Sequence, residues 1–105
     1  MLIINDTNID VSWFCYNSND TQRHIALASG DLSPKDRFTY DPPPNITGKY
    51  WVQFTVKGGI SLTWSSYHAG EKLTAAEAIV LEGTGPYSAK VHPPGTPAGT
   101  GYQVG

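Results

Sequence analysis

The sequence contains only one cysteine in 105 residues, so Cys15 has no partner for an intramolecular disulfide. A small domain without such a cross-link is held together by its apolar core, which is typical of proteins in reducing compartments. A signal peptide is not indicated either, because the short apolar segment 1–4 is followed at once by polar residues. We therefore expect a cytoplasmic protein, or one released without a signal peptide. Three glycosylation sequons, at Asn5, Asn19 and Asn45, leave secretion open, although the same residue types also form turns.

Charged residues are scarce, at 15% of the chain, and they carry no surplus of positive charge. The formal net charge is -2, and the seven Lys and Arg residues are scattered singly along the sequence. Because phosphate neutralisation drives binding to nucleic acids, we expect no nucleic-acid partner. Long apolar runs are also missing, since no segment approaches the roughly 20 apolar residues of a membrane-spanning helix. The sequence therefore predicts a protein without a transmembrane segment.

Residues that carry catalysis or bind metals are few, and they are not arranged in known motifs. Cys15 lies on the apolar side of a predicted strand, where burial would raise the pKa of its thiol and make it a poor nucleophile. The histidines, His24, His68 and His92, are far apart in sequence and lack the close spacing of zinc ligands. We therefore expect a protein that is not an enzyme and that needs neither a metal nor another cofactor.

Alternation of apolar and polar residues predicts a chain made of short β-strands. The predicted strands cover residues 2–4, 9–16, 23–28, 37–40, 49–57, 60–66, about 77–81 and 87–91. The first two strands are spaced like a hairpin. Gly58-Gly59 predicts a second hairpin, and the Gly-Thr-Gly-Pro sequence at residues 83–86 predicts a third.

The segment 71–81 is the one place where helix and strand signals compete. Thr74 and Glu77 have the spacing of a helix capping box, but the β-branched residues that follow favour a strand from about Glu77 onward. Seven or eight short strands with turn residues between them predict an all-β fold, a small antiparallel β-sandwich of immunoglobulin-like or jelly-roll-like architecture. A small β-barrel is the alternative.

Composition divides the chain into one domain and one terminal segment. Residues 1–92 carry the predicted strands and form the β-sandwich domain. Residues 93–105 are rich in Pro and Gly and contain too few apolar side chains to offset the entropy of ordering them. We expect a flexible C-terminal tail, or a linker to a further domain.

The segment 49–57 alternates strictly, yet it carries its largest side chain on the polar side. One side of the predicted strand carries four apolar residues, Tyr50, Val52, Phe54 and Val56. The other side carries a tryptophan among polar residues, in the order Lys49, Trp51, Gln53, Thr55 and Lys57. A large aromatic residue among polar neighbours indicates a ligand or a packing partner. We therefore expect the indole ring of Trp51 to project into water.

Aromatic rings and loop side chains together indicate a recognition site. Flat rings stack on the apolar faces of sugars, and the same amphipathic rings favour lipid headgroups. The expected binding residues are Phe14, Tyr16, Asp20, Asp41, Asn45, Trp51 and Gln53. They predict a lectin-like module that binds a glycan weakly and gains strength by forming homo-oligomers.

Three other functions fit the same sequence. A self-assembling structural protein would bury its exposed rings against copies of itself. A small cytolysin-like protein would place Tyr50 and Trp51 against a lipid bilayer. A protease inhibitor would present the stiff, proline-rich segment 41–48, which loses little entropy on docking.

Overall fold

The computed structural model describes residues 1–22, 24–58 and 63–93, and these ranges contain eight β-strands and no helix. The strands are β1 (Leu2–Asn5), β2 (Val11–Asn17), β3 (Ala28–Leu32), β4 (Arg37–Thr39), β5 (Tyr50–Gly58), β6 (Thr63–His68), β7 (Ala78–Gly83) and β8 (Tyr87–His92). They form two four-stranded sheets, and Cys15 is a free, buried thiol. The predicted all-β sandwich without a disulfide is thereby confirmed.

Both sheets are mainly antiparallel. The first sheet has the strand order β4-β1-β7-β8, and the second sheet has the order β3-β2-β5-β6. Only the pairing of β1 with β7 is parallel among the named strands. The hairpins β5–β6 and β7–β8 are confirmed. Gly58 of the predicted Gly58-Gly59 turn instead belongs to β5 and pairs with Thr63 at the start of β6. Residues 59–62 and the predicted tail from residue 94 onward lie outside the described residues.

The predicted hairpin between the first two strands is wrong, because the strands belong to different sheets. Between β1 and β2 the chain passes from the first sheet to the second. Asn5, at the end of β1, is fully buried, and its hydrogen bonds fix the path of this crossing. Its Nδ2 donates to the backbone oxygens of Ile9, Leu32 and Ser33 at 2.7, 3.3 and 3.0 Å. Its Oδ1 accepts hydrogen bonds from the backbone N and the hydroxyl of Thr7. One side chain thus joins the end of β1 to the start of β2 and the end of β3.

The third strand lies later in the chain than predicted. We expected a strand at 23–28, but β3 spans Ala28–Leu32. The carboxylate of Asp20 accepts hydrogen bonds from the backbone N atoms of His24 and Ile25, at 3.1 and 3.0 Å, so these two residues are held in a loop. Their alternation does not mark a buried side, since Ile25 is 77% exposed.

The segment 71–81 forms a turn and then a strand, in agreement with its β-branched residues. Thr74 and Glu77 do bind each other: Thr74 N donates to Glu77 Oε1 at 2.8 Å, and Glu77 N donates to Thr74 O at 3.2 Å. No helix follows, because residues 78–81 are fully buried and pair with β1 and β8. Burial on both sides of a central strand outweighs the helical propensity of the preceding alanines.

The core between the sheets contains one tryptophan, Trp13, which is 3% exposed. The centroid of its indole lies 5.6 Å from the ring centroid of Phe38 and 5.6 Å from that of Tyr40. Gly30 makes room for the indole, because a Cβ atom at this position would lie 2.8 Å from Trp13 Nε1. The ring therefore determines that β3 carries glycine at this register position.

Replacing Asn5 with alanine should remove the hydrogen bonds that join the two sheets and leave buried carbonyl groups unsatisfied. We expect the free energy of unfolding to fall by about 3 kcal/mol, measured by urea titration. Asn8→Ala, at an exposed position of the same crossing segment, is the matched control and should cost less than about 0.5 kcal/mol. A loss below about 1 kcal/mol for Asn5→Ala would show that the network does not hold the sheets together.

Replacing Gly30 with alanine should force the Trp13 ring or β3 to move. We expect this overpacking to lower the free energy of unfolding by about 1–3 kcal/mol and to change the near-ultraviolet circular dichroism of the indole. Gly70→Ala is the control, because a Cβ atom there meets nothing within 4 Å. Equal stability of the two variants would contradict the close packing at Gly30.

Candidate functional site

The outer face of the second sheet is its side away from the core. It carries most of the polar residues in the strands of that sheet. The alternation predicted for β5 is confirmed, since its core-facing side chains are all buried: Tyr50, Val52, Phe54 and Val56. On the outer face, Trp51, Gln53 and Thr55 are half-buried and Lys57 is exposed. Trp51 thus lies on the predicted side, but it does not project freely into water.

The strand register brings four of the predicted binding residues together on this outer face. Tyr16 of β2 lies opposite Trp51 of β5, and Phe14 lies opposite Gln53. On the other side of β5, Gln53 pairs with His68 of β6. Two adjacent rows of side chains therefore cross the sheet, one formed by two aromatic rings and the other by a ring, an amide and an imidazole.

The surroundings of Trp51 limit its use as a stacking platform. The ring of His68 meets it edge-on, with centroids 6.3 Å apart and planes at 87°. The ammonium of Lys72 lies over the indole, with Nζ 5.5 Å from the ring centroid, as in a cation–π contact. Tyr16 in the same row is only 8% exposed. A ligand that stacks on Trp51 therefore has to displace the lysine.

The row formed by Tyr16 and Trp51 is called here the Trp51 row. The three predicted loop residues lie at different places relative to it. Asp20 and Asn45 lie in the two loops at this end of the sheet, where their side chains bind the local backbone. Asp41 follows β4 and is exposed. Its carboxylate favours the charged form of the Met1 ammonium, although burial is the larger effect and lowers the pKa of that group.

An exposed indole that the sequence reasoning missed lies at the other end of the outer face. Trp64 of β6 is 58% exposed and pairs with Lys57 of β5. Trp64 lies in the strand predicted at 60–66 but is not among the expected binding residues. The register of β5 and β6 explains its exposure, because a partner of the outward-facing Lys57 must itself face outward.

Two open cavities of about 350 and 470 Å³ adjoin the Trp64 ring. The smaller is lined by Asp10, Val11, Ser12, Asp31, Leu32, Ser33 and Trp64. The larger is lined by Asn8, Ile9, Asp10, Pro34, Lys57 and Trp64. We call these two cavities together the Trp64 groove. Ser12 Oγ donates to Asp31 Oδ1 at 2.7 Å, which orients one of the two groove carboxylates. The groove therefore combines a flat apolar ring with several hydrogen-bonding groups.

The cysteine thiol lies apart from this groove, and the groove carboxylates do not belong to a metal-binding cluster among the described residues. Cys15 is fully buried on the core side of β2, and burial raises the pKa of its thiol to about 12. The predicted raised pKa is thereby confirmed, and the thiol cannot act as a nucleophile at neutral pH. Within residues 1–22, 24–58 and 63–93, no three His, Cys, Asp or Glu side chains are grouped as a metal site. The same ranges contain no helix able to span a bilayer.

Comparison with protein-family models, curated proteins and solved structures finds no match to this chain. The function must therefore be inferred from the chemistry of the sandwich surface itself.

The raised pKa of the Cys15 thiol predicts how stability depends on pH. The unfolded chain ionises this thiol near pH 9.0, whereas the folded protein keeps it protonated to about pH 12. Raising the pH through this range therefore favours the unfolded state of the wild-type protein, an effect that Cys15→Ala lacks. We expect the stability advantage of wild type over Cys15→Ala to shrink by about 1.4 kcal/mol between pH 7 and pH 10, measured by urea unfolding. A constant advantage would contradict the burial of this thiol.

Proposed function

We propose that the protein is a non-enzymatic recognition module that binds a glycan in the Trp64 groove. The observation that carries this proposal is the exposed indole of Trp64 between two cavities that also contain the carboxylates of Asp10 and Asp31. An indole offers a flat apolar area to the C–H face of a sugar ring. Carboxylates and hydroxyls beside it accept and donate hydrogen bonds to sugar hydroxyls.

The shape of the groove supports weak binding of a flexible, polar ligand. Both cavities are open to solvent and are lined by polar as well as apolar groups. A shallow site of this kind buries only part of its ligand, so the affinity of one site is low. Self-association would raise the effective affinity by presenting several sites to one glycan chain.

The Trp51 row extends the proposed site along the same outer face. Trp51 and Lys57 are six positions apart on β5, which corresponds to about 20 Å along the strand. Phe14, Gln53 and His68 lie between these ends. A longer glycan bound at Trp64 would run across these residues, and the predicted binding residue Trp51 would form a second contact once the glycan displaces Lys72.

The first test compares glycan-array binding of wild type, Trp64→Ala and Trp51→Ala. We expect Trp64→Ala to weaken binding at least about tenfold, because it removes the stacking surface, and Trp51→Ala to have a smaller effect. Asp31→Asn should also weaken binding, whereas Asp41→Asn is the matched control, since Asp41 does not line the groove. Circular dichroism should confirm that all four variants remain folded.

Three results would contradict this proposal. The first is that the wild-type protein binds no glycan, and the second is that Trp64→Ala leaves binding unchanged. The third is recovery of a shortened glycan, detected by mass spectrometry, because it would mean that the protein is an enzyme. Light scattering of wild type and Trp64→Ala tests the self-assembly alternative, in which the substitution would dissociate an oligomer without any role in glycan binding.

A further inference from the structure

Three exposed aliphatic side chains lie in two loops at the end of the second sheet opposite the Trp64 groove. Ile46, in the loop before β5, is 106% exposed, which places it at a protruding tip. Ile25 and Leu27, in the loop after β2, are 77% and 38% exposed. Leu27 N donates to Cys15 O at 2.7 Å, so this loop returns along β2 beside the Trp51 row.

Hydrogen bonds between the two loops hold the tips at one end of the sandwich. The hydroxyls of Ser18 and Thr47 are 2.7 Å apart, and they join the loop of Ile25 to the loop of Ile46. The backbone adds a second link, because Ser18 N donates to Lys49 O at 3.2 Å. The aliphatic side chains are therefore presented by one connected structure rather than by two independent loops.

Two polar side chains beside these tips, Asp20 and Asn45, are already bound within the protein. Both carboxylate oxygens of Asp20 accept backbone hydrogen bonds, including one from Ile25 N at 3.0 Å. Around Ile46, Asn45 Oδ1 accepts from the Thr47 hydroxyl and from Gly48 N, while Asn45 Nδ2 donates to Lys49 O. Groups that are satisfied internally cost less to remove from water than free polar groups do. The loop tips are thus suited to a medium poorer in water.

We propose that this end of the sandwich docks on the interface of a lipid bilayer, with the side chains of Ile25, Leu27 and Ile46 entering the boundary between headgroups and acyl chains. Three aliphatic side chains present only roughly a few hundred Å² of apolar surface. A stable protein–protein interface buries more than this, about 800 Å² per partner. Protruding aliphatic tips on a polar frame fit a fluid interface, which needs no complementary pocket.

Charges around the tips indicate that the apolar contribution dominates. By sequence, the two loops and the turn after β6 at residues 69–72 carry three basic and three acidic residues: Asp20, Arg23, Asp41, Lys49, Glu71 and Lys72. Because these charges balance, little attraction to anionic lipid is expected. Tyr50, which the cytolysin-like alternative places against a lipid bilayer, is not available for this contact. It is 2% exposed, and its hydroxyl donates to Pro43 O.

This docking goes beyond the proposed glycan function and uses the end of the second sheet opposite the Trp64 groove. The probe is a set of glycan-free vesicles, either of phosphatidylcholine alone or with a minor share of phosphatidylserine. We expect wild type to float with both kinds of vesicle. The double variant Ile25→Ser/Ile46→Ser should partition about tenfold less or weaker still, because two aliphatic side chains no longer enter the interface. Trp64→Ala is the matched control and should float like wild type.

A second measurement locates the contact without relying on a loss of binding. Cys15 is buried with a raised thiol pKa, so a cysteine introduced by Ile46→Cys can be labelled selectively with a polarity-sensitive fluorophore. The fluorescence should shift to the blue on adding vesicles. The same label at Thr84→Cys, in the exposed turn between β7 and β8, should show no shift.

Each contrary result would overturn the docking proposal and leave the glycan proposal separate. Failure of wild type to float with either vesicle would exclude bilayer docking. Flotation that survives the double serine variant, or that is lost in Trp64→Ala, would place the lipid contact elsewhere. A blue shift at Thr84→Cys equal to that at Ile46→Cys would mean that adsorption is not oriented. Glycan binding in the Trp64 groove should remain intact in the double serine variant in every case, because neither Ile25 nor Ile46 lines that groove.

Discussion

The buried side chain of Asn5 determines how the two sheets meet, and the candidate groove depends on that junction. Its amide donates to backbone oxygens of Ile9, Leu32 and Ser33, so the start of β2 and the end of β3 are fixed against the end of β1. These same three residues line the cavities beside Trp64. A buried polar group is strongly bound where the dielectric is low and costly to leave unsatisfied. The interaction that joins the sheets therefore also shapes the surface proposed for recognition.

The parts of the fold that follow from local signals could be predicted from the sequence. Strict alternation in β5 and turn residues between β7 and β8 sufficed for two hairpins and for the all-β class. The passage from β1 to β2 and the loop before β3 are set by hydrogen bonds from side chains to the backbone, and these could not be predicted. Asn5 and Asp20 lie in segments whose composition is that of ordinary turns. The same pattern of Asn-Asp-Thr occurs at Asn5 and at Asn19, yet the first asparagine is fully buried and the second is exposed. Burial of Asn5 leaves no room for a glycan at that sequon in the folded protein.

Only part of the candidate site could be predicted from the sequence, for a related reason. Period two places Phe14, Tyr16 and Trp51 outside the core, but which ring is accessible depends on neighbours that are distant in sequence. Lys72 covers the ring of Trp51, whereas Trp64 is exposed because it pairs with the outward-facing Lys57. Only the pairing of strands and the path of the loops assign these different surroundings to residues of one type.

The exposed apolar residues at the two ends of the second sheet are not required by the packing of the sandwich. The fold buries a tryptophan where it needs one, as the close contact between Trp13 and Gly30 shows. A single exposed apolar residue is ordinary on a protein surface. Trp64, however, stands between two cavities, one of which contains the oriented carboxylate of Asp31, and Ile46 stands on a turn in which the side chain of Asn45 is bound internally. Ile46 is fully exposed and Trp64 more than half exposed, so a contact outside the chain explains both side chains better than core packing does. The two proposed contacts, one polar and one apolar, would lie at opposite ends of the second sheet.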